Sequence, residues 1–238
     1  MKHLITLENW SSTAILELLD LADRIKAKPA DYREAMHRKT LMMIFEKPSL
    51  RTRVSFETGC TQMGGHGIFY DLATSPLSSG KENVADLVRV VSRYVDIIMG
   101  RLFEQAHIEE MAALASVPVI NALTNYEHPC QILADLQTIR EKKGALKGLK
   151  LAYFGDGNNN VTHSLLFGCA KVGMDISVAC PKGDEYEPLD TVLAATAKIA
   201  KKTGSQVAVT HDAMEAAKGA DVLYTDSWMS YHIPQHKQ

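Results

Sequence analysis

Hydrophobic positions along the chain recur in two alternating patterns. Apolar residues three and four apart predict helices, and short continuous apolar runs predict buried strands. In the first half the pattern predicts strands at 40–45, 67–70, 96–99 and 117–121, and helices at 12–26, 50–63, 84–94, 108–115 and 129–142. Regular alternation of strand and helix favours a parallel sheet with crossover helices.

The second half repeats this alternation after the turn-rich basic stretch KKGALKG. It predicts strands at 149–154, 176–180, 206–210 and 222–225, and helices at 161–172, 189–202 and 213–218. We therefore predict an α/β protein of two domains, each a parallel sheet flanked by helices. The first predicted domain covers residues 1–142 and includes a linking helix at 129–142. The second covers residues 146–238 and is Rossmann-like. The final SWMSYHIPQHKQ predicts no closing helix, so we expect the second domain to be incomplete at its C-terminus.

Composition excludes several classes of protein. The 238 residues are 46% hydrophobic and 23% charged with a net charge of −2, which indicates a soluble globular protein and gives no basic field for nucleic acid. We expect no signal peptide and no membrane span, since no apolar run approaches about 18 residues. The four cysteines form no C-x-x-C pair, which favours reduced thiols in a cytoplasmic protein without a metal or disulfide.

The stretch EKPSLRTR predicts an anion site at a helix start. Ser49 is a suitable N-cap, and the unpaired N–H groups of the first turn favour negative charge. Arg51, Thr52 and Arg53 add charge-assisted donors for a phosphate or sulfate. The alternative is a solvated helix start whose arginines pair with Glu46 or Glu57.

Two further candidates follow predicted strands of the first half. His128 in NYEHPCQ precedes a helix, with Gln131 one turn on, so both side chains are predicted to face the carboxyl edge of the sheet, where open α/β sheets bind ligands. The imidazole could polarise a carbonyl, or it could cap its own helix. Arg101 in IMGRLFEQ is predicted just after a strand, at another carboxyl end, although this stretch taken by itself favours a surface arginine.

Two loops of the second half carry polar residues. FGDGNNNVTHS lacks the third glycine of the dinucleotide fingerprint, because Asn160 stands there, and no acid for a ribose follows the next strand. Its asparagines could instead hydrogen-bond a polar ligand. In YTDSWMSYH, Asp226 beside Ser230 could hold an ammonium group, or it could be a cap beside a packed Trp228.

Taken together, these stretches resemble the aspartate/ornithine transcarbamylase family from the N-terminus to about Ser230. SLRTRVSFE is similar to its carbamoyl-phosphate signature and HPCQ to its His-Pro-x-Gln. GDGNN followed by HS, and TDSW, resemble segments of its ornithine-specific branch. The resemblance implies transfer of the carbamoyl group of carbamoyl phosphate to the side-chain amine of L-ornithine, giving citrulline and phosphate in arginine biosynthesis.

The resemblance also implies residue roles. The phosphate would be held by Ser49, the Leu50 backbone, Arg51, Thr52 and Arg53. The carbonyl oxygen would be polarised by Arg101, His128 and Thr52 as catalytic groups. Gln131 would bind the carbamoyl amide. The ornithine-binding residues would be Asn160, Asp226, Ser230 and Tyr231. The resemblance implies no metal or organic cofactor. It also implies that the two domains close over the substrates and that the protein forms a homotrimer or a multiple of it.

The choice of acceptor has a chemical argument beside the resemblance. An aspartate-specific relative needs arginines for two carboxylates, and the segments after Gly155 and Thr225 contain none.

Three departures from the family pattern remain. Leu77 falls where a glutamine is usual, Tyr231 and His232 alter the ornithine loop, and the C-terminal stretch is absent. An acceptor such as putrescine, or a non-catalytic anion-binding fragment, are the alternatives; an NAD-dependent dehydrogenase is disfavoured by the missing glycine.

Overall fold

The computed structural model of the chain describes residues 2–74 and 83–226, which form two compact units. The first unit takes its described residues from Met1–Thr6 and Asp20–Cys130, and the second from Leu7–Leu19 and Gln131–Gln238. Helix α1 (Ser12–Ala27) contributes to both. The sequence-based domain limits remain a prediction.

The first unit is built on a parallel sheet of four strands in the order β2-β1-β3-β4. Its strands are β1 (Thr40–Phe45), β2 (His66–Asp71), β3 (Ile97–Arg101) and β4 (Val119–Leu123). Its helices are α2 (Leu50–Gln62), α3 (Val84–Val91) and α4 (Gln105–Leu114).

Both faces of strand β1 are buried, which explains its continuous apolar run. Met42 and Ile44 belong to a cluster with α3 and α4 residues, while Leu41, Met43 and Phe45 belong to a second cluster that includes Cys60 of α2. Successive side chains of a strand point to opposite faces, so a sheet covered on both sides needs apolar residues at every position.

The second unit carries another parallel sheet of four strands, in the order β7-β6-β5-β8. Its strands are β5 (Lys150–Phe154), β6 (Asp175–Ala179), β7 (Val207–Thr210) and β8 (Val222–Thr225). Its helices are α5 (Pro129–Lys143), α6 (Asn160–Val172), α7 (Asp190–Thr203) and α8 (Ala213–Ala217). Residues 129 and 130 of α5 belong to the first unit.

The predicted fold class is confirmed, and the element boundaries differ at a few ends. Strand β3 runs through Arg101, which the sequence placed just after the strand. Helix α4 begins at Gln105 rather than at 108, because no residue before Ile108 in this helix is buried and the apolar pattern starts only there. No helix in the described part of the chain is long and apolar enough to cross a membrane.

Helix α6 is buried along nearly its whole length, and close packing at Gly168 permits this. A Cβ at Gly168 would lie 2.6 Å from Ile132 Cγ2 and 3.5 Å from Leu136 Cδ1, so α5 and α6 approach closely at this residue. Adding a methyl group to such a position forces side chains off their rotamers or moves the backbone.

We predict that Gly168→Ala lowers the free energy of unfolding by about 1–3 kcal/mol because of this overpacking. Urea unfolding followed by circular dichroism measures the change. Gly59→Ala is the matched control, because Gly59 is also helical and a Cβ there has no atom within 4 Å. That control should be neutral or stabilising, since alanine favours helix by up to about 1 kcal/mol. Equal stabilities of the two variants would contradict the prediction.

Candidate active site

The strand order of the first unit creates a binding crevice at one defined place. Strands β2 and β3 lie on opposite sides of β1, so the chain reverses its direction of winding between β1 and β3. Ligands of open α/β sheets bind outside the carboxyl ends of strands at such a switch point. Phe45 and Arg101, the last residues of the two strands, are partners in register there.

Ser49 forms the N-cap of α2 beside this crevice, as the sequence predicts. Its Oγ accepts from Thr52 N at 3.3 Å and lies 3.1 Å from Thr52 Oγ1. Pro48 precedes the cap and Leu50, whose side chain is 78% exposed, opens the helix. The first turn therefore presents main-chain N–H groups at the positive end of the helix dipole.

Arg101 is fixed against this helix start by hydrogen bonds. Its Nε donates to Lys47 O at 3.2 Å and its Nη1 donates to Thr52 Oγ1 at 3.4 Å. Its own carbonyl accepts from Glu46 N at 2.9 Å. The structure thus brings together three predicted residues, Ser49, Thr52 and Arg101. Arg101 is partly exposed, and its hydrogen bonds hold it against the start of α2.

Lys47 is a site residue that the sequence reasoning missed. Its side chain is buried, with the ammonium 5.7 Å from the centroid of the Phe103 ring. Burial and, secondarily, the charge of Arg101 lower its pKa. A lysine two residues after the end of a largely buried strand is the signal that could have found it, since that place is the carboxyl edge of the sheet.

His128 lies in the same electrostatic neighbourhood, after the turn that follows β4. Thr124 N donates to Glu127 O at 2.8 Å and Glu127 N donates to Thr124 Oγ1 at 3.1 Å, which fixes this turn. Burial, then Arg101 and then Lys47, lower the pKa of His128 to about 3. Its imidazole is therefore neutral near pH 7 and acts as a hydrogen-bonding group rather than as a cation.

The two arginines of α2 differ in their surroundings. Arg53 Nε lies 3.2 Å from Glu57 Oε2, and its guanidinium carbon lies 3.9 Å from the centroid of the Phe69 ring. Arg51 is exposed. The pairing with Glu57 that the sequence left open is present for Arg53, whereas Glu46 Oε2 instead accepts from Phe103 N at 2.8 Å.

A second switch point occurs in the second unit, between β5 and β8. Asp226 follows β8 and is exposed. Asn160 begins α6 after the loop that leaves β5 and is half-buried. Both residues thus lie at the carboxyl ends of neighbouring strands. Ser230, Tyr231 and the departure at Leu77 fall outside the described residues.

Asn159, which the sequence treated as a possible ligand group, has a structural role instead. Its Oδ1 accepts from Val161 N at 2.8 Å and from Thr162 N at 2.9 Å, so it is the N-cap of α6. Its Nδ2 lies 3.0 Å from the hydroxyl of Tyr153. This cap fixes the place where Asn160 enters the helix.

Gln131 is exposed on the first turns of α5 and belongs to the second unit. Its Nε2 donates to Asp135 Oδ1 at 3.0 Å, and Asp135 Oδ2 accepts from the Tyr224 hydroxyl at 2.8 Å. Burial raises the pKa of Asp135, and the hydrogen bonds from Tyr224 and Gln131 oppose that shift. In the described ranges, no group of three or more His, Cys, Asp or Glu side chains is arranged to hold a metal ion.

The first-unit arrangement suits one kind of ligand. A helix N-terminus with arginines binds an anion, while Arg101, Thr52 and a neutral His128 are donors for a polarised oxygen. This combination, at the switch point of a parallel sheet, is suited to a ligand that carries both a phosphate and a carbonyl group.

Comparison with known proteins identifies the family. The family described as aspartate/ornithine carbamoyltransferase, carbamoyl-P binding domain, matches residues 2–141, and its Asp/Orn binding domain matches residues 147–238. The chain belongs to the aspartate/ornithine carbamoyltransferase family.

Individual relatives are similar over nearly the whole chain. The ornithine carbamoyltransferase of Bacillus subtilis (strain 168) is 52% identical over 229 residues, which cover 96% of this chain and 70% of that protein. That of Methanothermobacter thermautotrophicus is 52% identical, covering 97% of this chain and 74% of that protein. The solved ornithine carbamoyltransferase from Pyrococcus furiosus matches with a TM-score of 0.91 and 43% identity, over 96% of this chain and 72% of that chain.

The low pKa of His128 predicts a pH dependence of stability. In the unfolded chain the imidazole regains its ordinary pKa of 6.5, so between about pH 6.5 and about pH 3 the unfolded state binds more protons than the folded state. The free energy of unfolding should therefore fall as the pH is lowered through this range. Urea unfolding at several pH values measures the slope, and His128→Gln should make it shallower. Identical slopes in both proteins would show that His128 does not contribute.

Proposed function

We propose that this chain transfers the carbamoyl group of carbamoyl phosphate to the side-chain amine of L-ornithine, giving L-citrulline and phosphate. The observation that carries the proposal is the fixed constellation of Ser49, Thr52, Arg101 and His128 in a chain about half identical to ornithine carbamoyltransferases. A solved acetylornithine transcarbamylase is less similar, at 30% identity.

The donor is proposed to bind at the N-terminus of α2. Ser49, the Leu50 N–H, Arg51, Thr52 and Arg53 hold the phosphate, for which the helix dipole and the guanidinium groups supply positive charge. Arg53 changes partner in this proposal, because its pairing with Glu57 is an exposed contact of small net energy.

The carbonyl oxygen is proposed to lie against Arg101, Thr52 and His128. Negative charge develops on this oxygen when the neutral amine of ornithine attacks the carbonyl carbon, and preorganised donors stabilise it. The bond from carbon to the bridging oxygen then breaks, phosphate leaves with that electron pair, and the amine nitrogen loses a proton. A neutral imidazole keeps one N–H group, and through it His128 donates a hydrogen bond to this oxygen. Gln131 binds the carbamoyl amide.

The acceptor is proposed to bind at the second switch point. Asp226, with Ser230, holds the α-ammonium group of ornithine, Asn160 its carboxylate end, and Tyr231 completes the loop. We also propose a homotrimer or a multiple of it, a cytoplasmic location and a place in arginine biosynthesis, all of which follow from the family resemblance.

Citrulline formation from carbamoyl phosphate and ornithine tests the proposal directly. We expect turnover with ornithine that exceeds turnover with putrescine or aspartate. Asp226 suits an α-ammonium group, which putrescine lacks, and the sequence segments after Gly155 and Thr225 contain no arginine for the second carboxylate of aspartate. Colorimetric detection of each carbamoylated product measures this preference. Turnover with putrescine or aspartate but not with ornithine would contradict the proposal.

Arg53→Ala should lower kcat/KM for carbamoyl phosphate by on the order of a hundredfold or more, a loss of several kcal/mol of transition-state stabilisation, because it removes a charge-assisted donor from the phosphate. Arg89→Ala is a matched control, since Arg89 is an exposed helical arginine whose Nη1 lies 3.7 Å from Asp86 Oδ1. The control should retain its rate. If the two variants are equally active, the phosphate lies elsewhere.

A further inference from the structure

Two loops of the first unit carry the proposed donors for the carbonyl oxygen, and one buried hydroxyl group contacts both loops. Arg101 ends β3, and His128 lies at the end of the loop that leaves β4. Thr124 is the residue directly after β4 and is fully buried. Its hydroxyl is therefore placed to fix the spacing between the two loops.

The Thr124 hydroxyl uses all of its hydrogen-bonding capacity. It donates to Gln105 Oε1 at 2.7 Å and accepts from Glu127 N at 3.1 Å and from Tyr126 N at 3.3 Å. A hydroxyl has one proton and two lone pairs, so these three contacts fill it. Another acceptor in reach, Glu127 O at 3.4 Å, is more distant and already accepts from Thr124 N. The loop before His128 is thus closed around this oxygen.

The start of α4 sets the direction of the hydrogen bond from Thr124. Gln105 is the first residue of α4, at the end of the loop that leaves β3, and its Nε2 donates to Glu109 Oε1 at 3.1 Å. A carboxylate only accepts, so it takes the NH₂ end of the amide and leaves the carbonyl oxygen for Thr124. The hydroxyl is therefore the donor to α4, and its lone pairs remain for the two backbone N–H groups.

Two backbone hydrogen bonds run beside this link between the loops. Leu102 N donates to Leu123 O at 2.9 Å, and Asn125 N donates to Phe103 O at 2.8 Å. The register between β3 and β4 shifts at Arg101, which disrupts the ladder locally. The hydroxyl bridge thus adds a contact at the place where the two loops leave the sheet.

We infer that Thr124 is a positioning residue that holds the loops of Arg101 and His128 at the spacing that the carbonyl oxygen requires. The inference rests on the proposed function and deepens it, because it names what preorganises two of the proposed donors. Such donors act most strongly in the transition state, and a displacement of about 1 Å can cost on the order of a hundredfold in rate. The phosphate is instead proposed to bind at the start of α2, which follows β1.

Thr124→Val and Thr124→Ser separate the hydroxyl from the rest of the side chain. Valine has the shape of threonine without the hydroxyl, whereas serine keeps the hydroxyl without the methyl group. We expect Thr124→Val to lower kcat for citrulline formation by about ten- to a hundredfold, because two buried N–H groups lose their acceptor and the loops are no longer joined. Thr124→Ser should stay within about threefold of the wild-type kcat, because its hydroxyl restores the bridge.

A split between rate and binding distinguishes positioning from a general loss of structure. The KM for carbamoyl phosphate, and the affinity for inorganic phosphate in calorimetric titration, should change by less than about threefold in both variants. Thr196→Val is the matched control, since Thr196 is also fully buried and its hydroxyl has no hydrogen-bond partner among the described residues. This control should retain the wild-type kcat, and an equal loss of kcat in it would count against the inference.

Gln105→Met is the second variant if thermal unfolding shows that Thr124→Val does not fold. It removes the acceptor of the Thr124 proton from a partly exposed position, so it should lower kcat by roughly three- to tenfold. An unchanged kcat in the folded variant, or equal losses of kcat and phosphate affinity, would overturn the inference while leaving the proposed function standing. A wild-type protein that forms no citrulline would instead contradict the proposed function, and the inference with it.

Discussion

The parallel pairing of β1 with β3 is the constraint on which the donor site depends. It brings the ends of two strands, Phe45 and Arg101, to one edge of a sheet although they are 56 positions apart in the sequence. The hydrogen bonds of Arg101 to Lys47 O and Thr52 Oγ1 then tie this edge to the start of α2. Helix dipole, guanidinium and imidazole therefore converge where the winding of the sheet reverses.

The electrostatics of this site follow from burying several basic groups together. Burial, and then the charges of Arg101 and Lys47, lower the pKa of His128, so the imidazole stays neutral. Like charges close together repel one another, and an anion that binds beside them relieves this repulsion. The site therefore suits a ligand that brings negative charge, and its neutral imidazole suits hydrogen bonding.

The second unit repeats the geometry with a different chemistry. Its switch point is bordered by an Asp and an Asn rather than by arginines, which suits an ammonium group better than a phosphate. The Tyr224–Asp135–Gln131 chain of hydrogen bonds joins β8 to the face of α5. Polar networks of this kind fix rotamers and amide orientations, which a lone surface glutamine would not keep.

The sequence by itself determined the alternation of strands and helices. A strand buried on both faces needs a continuous apolar run, and a helix buried on one face needs apolar residues three and four apart. It also determined the cap at Ser49 and the chemistry of SLRTR and HPCQ, since these depend on neighbours in the chain. Only the tertiary structure decided the burial of Lys47 beside Phe103, the hydrogen bond of Asp135 with Tyr224, and the contact of Glu46 with Phe103 N. Those depend on strand order and on contacts between residues as far apart as 135 and 224, which no local pattern encodes.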